Sequence, residues 1–86
     1  MYLDATLTAG QASDKFKLDG DNMKTGKTAR AGIAVLSGTF VIRQYSPDQG
    51  TVLGSLDLDG LHVLEVPVAG WYDVQCVTAG RVVVQQ

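Results

Sequence analysis

AGIAVLSG, residues 31–38, and TFVIRQYS, residues 39–46, decide how this chain is built. In the second stretch Phe40 and Ile42 fall on one side, with Val41, Arg43 and Tyr45 on the other. A period of two with one apolar side is the mark of a strand that buries one face. The first stretch is apolar on both sides, which predicts an inner strand. Gly38 stands between them, so they read as two strands.

Working outward, the same period recurs. In YLDATLTA, residues 2–9, Leu3, Ala5, Leu7 and Ala9 alternate with polar neighbours. DKFKL, residues 14–18, sets Phe16 and Leu18 against Lys15 and Lys17. SPDQG reads as a turn, with Pro47 presetting φ, Asp48 bonding to its own backbone and Gly50 as the exit. TVLGSLDL (51–58) and HVLEVPV (62–68) are further strands, and in the latter His62, Leu64, Val66 and Val68 share a face. Pro67 lacks an N–H, so that end belongs at a sheet edge or strand terminus. WYDVQCVT (71–78) and RVVVQQ (81–86) are expected to form a hairpin across Thr78-Ala79-Gly80-Arg81. Helical periodicity is missing. About seven or eight short strands at roughly 8–12-residue spacing predict an all-β domain, a small antiparallel β-sandwich or jelly-roll-like barrel.

The chain has 86 residues, enough for one domain over 1–86, and 45% are hydrophobic. Its formal charge of −2 argues against nucleic-acid or anionic-membrane partners. No apolar run is long enough to span a bilayer as a helix, and the N-terminus lacks the basic-then-apolar order of a secretory signal. The lone Cys76 excludes an intrachain disulfide and reads as a small core residue. Five of the seven basic residues, Lys15, Lys17, Lys24, Lys27 and Arg30, fall in the first half. Residues 19–30 therefore read as a flexible polar and basic loop, a candidate contact for an acidic partner.

Within that loop GDNMKTGKT, residues 20–28, ends like a phosphate-binding loop. The pattern G-x-x-x-x-G-K-[ST] needs its first glycine at position 21, where Asp21 stands, and a helix must follow. A carboxylate beside the phosphates and a Gly-broken, β-branched continuation exclude that reading. The Asp-Gly stretches around Asp19–Asn22 and Asp57–Gly60 lack the spacing of an EF-hand. His62 is the only histidine, so no two-base constellation forms around it. No cofactor, metal or enzymatic activity is expected. Trp71 and Tyr72 follow Gly70 at a strand start and are candidates for sugar stacking or partner binding, although one of two adjacent strand residues points inward.

SGTFVIRQYSPDQGTVLGSLDL (37–58) and VPVAGWYDVQCVTAGRVVVQQ (66–86) resemble small β-sandwich virion structural proteins of tailed bacteriophages, of the capsid decoration (cement) type. The residues carrying the resemblance are Gly38-Thr39-Phe40, Gln44, Ser46, Asp48, Gly50-Thr51, Pro67, Gly70 and Trp71-Tyr72. Many relatives have a second glycine in the turn where this chain has Gln49. The resemblance implies a subunit made in the bacterial host cytoplasm and placed in the virion. It implies the major capsid protein or another virion protein as partner, and a homo-oligomer, first of all a trimer. Lys15, Lys17, Lys24, Lys27, Arg30, Trp71 and Tyr72 are then the partner-binding candidates. Alternatives are a neck, tail or fibre component with the same sandwich, and a small carbohydrate-binding module using Trp71 and Tyr72. Val82, Val83 and Val84 are apolar on both faces, which calls for the core on one side and a partner on the other.

Overall fold

The computed structural model describes residues 1–60 and 63–86 and is all-β. Its strands are β1 (Tyr2–Leu7), β2 (Phe16–Leu18), β3 (Arg30–Tyr45), β4 (Val52–Asp57), β5 (Val63–Glu65) and β6 (Gly70–Gln85). They form one antiparallel sheet in the order β1-β6-β3-β4, with β2 also on β6 and β5 also on β3.

Two expectations are corrected here. Residues 31–38 and 39–46 are one strand, β3, and 71–78 and 81–86 are one strand, β6, with no hairpin at Thr78–Arg81. Each of these strands has 16 residues, and they pair with each other from Gly32↔Gln85 to Tyr45↔Trp71. Sixteen extended residues run to roughly 50 Å. The longest dimension of the molecule is 40 Å, so the pair must bend.

The bend lies where the register shifts, between Val35 and Phe40. There the inward set of β3 changes parity, from Ala31 and Ile33 to Phe40 and Ile42, while β6 keeps Tyr72, Val74, Cys76, Val82 and Val84 inward. Gly38 adopts φ +74°, a bulge conformation open to glycine at little cost. The inward residues of both halves, with Phe16, Leu18, Leu58 and Val66, belong to one buried cluster. Thr78, Ala79 and Gly80, read as turn chemistry, instead cross Ser37 and Gly38 backbone to backbone.

Both flanks of β6 are covered. β1 pairs with its C-terminal half and β2 with its start. Between them Gly10, Gln11 and Ser13 exchange backbone bonds with Val74 and Cys76. The free flank of β3 carries β5 at one end and β4 at the other. The alternations at Leu3-Ala5-Leu7 and Phe16-Leu18 face inward as expected. β5 is shorter than expected and stops two residues before Pro67, with Val66 buried and Val68 exposed. The expectation for His62 lies outside the described residues. In the 46–50 turn the left-handed residue is Gln49, at φ 63°, and it occupies the place of the second glycine in the resembled turn. Ser46 Oγ and the Gly50 N–H both donate to Asp48 there, and these two bonds hold its carboxyl below the usual range.

Candidate functional site

The outer face of the sheet around Tyr45 holds the only buried charge among the described residues. Arg43 and Asp73 are cross-strand neighbours on β3 and β6. Arg43 Nε donates to Asp73 Oδ1 at 2.8 Å and Nη2 to Oδ2 at 2.6 Å, a bidentate ion pair. Tyr45 Oη donates to the same Oδ2 at 2.7 Å. Asp73 is only 3% exposed, so this three-bond set is what makes its burial tolerable. The bond to Asp73 holds the Arg43 guanidinium above its usual pKa. Burial first, and then the bond to Asp73, push the Tyr45 phenol up. Lys15 completes the group: Nζ lies 4.6 Å from the Tyr45 ring centroid and donates to the Gln49 carbonyl at 3.0 Å.

Beside this group the strand period separates Trp71 from Tyr72. Tyr72 points inward and is buried, and Trp71 points outward and is half-buried. They form no joint stacking platform, which corrects the pairing expected of a carbohydrate-binding module. The same-face aromatic neighbour of Trp71 is Tyr45, its cross-strand partner on β3. Lys17 sits across from Trp71 on the other side. Lys17, Tyr45, Pro47, Leu53, Val68 and Trp71 line a cleft of about 350 Å³. The structure thus brings Lys15, Lys17 and Trp71 to one face through Tyr45, a residue the sequence reading passed over.

Lys24 and Lys27 lie apart, on a tight exposed turn. Asn22 and Lys27 exchange backbone bonds of 2.9 and 3.2 Å, and Asn22 Oδ1 accepts from the N–H groups of Lys24 and Thr25. Asp21 anchors the turn by accepting from the Ala29 N–H at 2.6 Å and donating its own N–H to Val66. Backbone groups that would have to cradle a phosphate are thus engaged with the chain itself. Arg30 begins β3 directly across from Glu65.

The surface also carries apolar side chains that a monomer gains nothing by exposing. On β4, Val52, Leu53 and Leu56 are 44, 61 and 48% exposed. Leu56 is the cross-strand partner of inward-facing Ile42, yet its inner side opens into a cleft of about 250 Å³ lined by Ile42, Leu64, Pro67 and Tyr72. On the outer face, Val83 is half-buried between Asp4 and Ala34, its cross-strand neighbours. Asp4 there is bonded twice by Arg81, and that hydrogen bond lowers its pKa.

The two buried tyrosines make an alkaline prediction. Burial raises the Tyr72 phenol as it does that of Tyr45. A folded pKa above the unfolded value of about 10 gives stability that is complete below pH 10 and lost as pH rises through the folded value. Urea midpoints should therefore fall above about pH 10, and Tyr72→Phe should fall less steeply. Equal slopes would contradict this.

Compared with known proteins, no family model, no curated protein and no solved structure matches the chain.

Proposed function

We propose that this chain is a non-enzymatic structural protein of a tailed-phage virion, a capsid decoration protein that binds between major capsid protein subunits and stabilises the shell. The observation that carries the reading is the uncovered apolar edge strand β4, with Val52, Leu53 and Leu56 all more than 40% exposed. Surface of that kind is stabilised by a partner. The resemblance of residues 37–86 to decoration proteins supplies the identity of that partner. The bent sheet, with both halves of β3 and β6 feeding one core, is read here as the β-sandwich of that family.

The mechanism is linkage. A protein that binds the expanded shell and not its dissociated subunits stabilises the shell by about 2.7 kcal/mol per site at a free concentration one hundred times its Kd. Shape and main-chain hydrogen bonding at sheet edges supply the affinity. The exposed Lys24 and Lys27 turn supplies charge attraction to an acidic shell surface.

The test is sedimentation with expanded shells lacking the protein. The purified chain is expected to pellet with shells and to stay in the supernatant with tails. Lys24→Glu combined with Lys27→Glu is expected to weaken pelleting and its salt dependence together. Binding to tails alone would move the protein to the neck or tail.

A further inference from the structure

The outer face of the sheet carries one row of side chains that crosses four strands. Lys17 on β2 is opposite Trp71 on β6, Trp71 is opposite Tyr45 on β3, and Tyr45 is opposite Val52 on β4. Neighbouring strands stand about 4.8 Å apart, so the row is roughly 14 Å long, about four residues of extended chain. Along it lies the cleft of about 350 Å³ walled by Pro47, Leu53, Val68 and Trp71. Leu53 reaches the cleft through an irregularity in β4. The β3–β4 register shifts between Gln44, opposite Gly54, and Tyr45, opposite Val52, and Leu53 is left without a partner in the bulge. Bulges commonly re-aim a side chain in this way.

The cleft is apolar and its charge is one-sided. Leu53 and Val68 are 61 and 64% exposed, and Trp71 is only half-buried. Among the described residues Lys17 is the one charged side chain in the lining, and it makes no ion pair there. Lys15 adds a second cation. Its ammonium has three donors, of which one goes to the Gln49 carbonyl, and it is held over the Tyr45 ring with capacity left for an anion. The other charges nearby are already engaged. Arg43 is paired with Asp73, and Asp48 accepts from Ser46 and Gly50 inside its own turn. A chain of formal charge −2 thus presents a basic, apolar slot at this one place.

We propose that this cleft docks an acidic peptide segment of another protein, with an apolar side chain seated among Pro47, Leu53, Val68 and Trp71 and a carboxylate held by Lys17 and Lys15. The proposal does not depend on the virion reading. Two physical reasons select a peptide. The exposed parts of Val52, Leu53 and Val68 form a rim wider than the cleft, which a molecule small enough to sit inside would leave in water and an extended chain would cover. The Tyr45 ring is buried under Lys15, so no open pair of rings is left on which nucleic-acid bases could stack. The length of the row sets the spacing of the ligand, with the apolar anchor and the carboxylate within about four residues of each other.

Trp71 is the only tryptophan, so the emission of the intact chain reports on the cleft. A random peptide library panned on the purified chain, with the Lys17→Glu chain as counter-selection, is expected to enrich sequences that carry a large apolar residue close to Asp or Glu. A synthetic peptide of that set should shift Trp71 emission saturably, with a Kd in roughly the micromolar-to-millimolar range of a small contact. Lys17→Glu should weaken binding about tenfold, and Leu53→Ser should weaken it about threefold. Both side chains are exposed, so the melting curves of these variants should match the parent. Exchanging the acids of the peptide for their amides should reproduce the Lys17→Glu loss and remove the salt dependence. No enrichment over the Lys17→Glu chain, a consensus without acids, or equal affinity for the amide peptide would overturn the proposal. So would oligothymidylate or sodium benzoate shifting Trp71 emission at the same concentrations, which would give the cleft to a nucleic acid or a small organic anion.

Discussion

Arg43→Ala is expected to cost about 3 kcal/mol, the low end of the range for breaking a buried ion pair. The reason is what remains. Asp73 is 4% exposed at its side chain, and without Arg43 it keeps one donor, the Tyr45 hydroxyl. A carboxylate in that position must stay charged without its partner or take up a proton, and either is costly. The figure sits low because the Arg43 side chain retains 22% of its exposure, so water already screens part of the pair. For a chain this small, about 3 kcal/mol is a large share of the total and corresponds to a fall of about 15 °C in Tm. Asp73→Asn keeps an acceptor for Tyr45 and should lose less. Arg81→Ala, which breaks an exposed pair with Asp4, should barely move the melting curve. Equal losses for Arg43→Ala and Arg81→Ala in thermal melts at pH 7 would show that the Tyr45 group is not the anchor described here.

Gly38→Ala and Gly80→Ala are expected to be at least as damaging, by a different route. A Cβ on Gly80 would run into the Ser37 carbonyl and the Gly38 nitrogen, and one on Gly38 into the carbonyls of Thr78 and Ala79. These are backbone atoms of the opposing long strand, and no rotamer change relieves the clash. At Gly38 the positive φ adds strain of about 1–2 kcal/mol for an L-residue. Overpacking costs a further 1–3 kcal/mol or so at either site. Gly54→Ala is the control: its Cβ meets nothing, so the fold should be unharmed. Urea unfolding of the three variants separates the outcomes. If Gly80→Ala were as stable as Gly54→Ala, β3 and β6 would not cross at that point.

That crossing also explains what the sequence concealed. The period of two is local, so the faces of β1, of β2 and of residues 40–45 were legible, as was the inward Cys76. Thr78-Ala79-Gly80 has the composition of a turn, and glycine after a small residue usually means one. Here Gly80 is needed for close approach to a partner some forty residues away, and that requirement leaves no local trace. Gly38 misled in the same way, because a bulge and a strand break use the same residue. The Arg43–Asp73–Tyr45 group was hidden for a related reason. Each residue alone reads as a polar tip on a strand, and only the β3–β6 register makes them neighbours. Trp71 and Tyr72 were separable from the start, because adjacent strand residues face opposite ways. The basic residues were visible as a cluster in sequence, but the fold divides them. Lys15 and Lys17 flank the Tyr45–Trp71 face, and Lys24 and Lys27 ride on the Asn22 turn.

The most direct measurement of the proposed role is the thermal disruption of expanded shells with and without saturating amounts of this protein. Linkage requires the disruption temperature to rise with protein concentration and to level off when the sites between capsid subunits are filled. A disruption temperature unchanged at any concentration would contradict a decoration function.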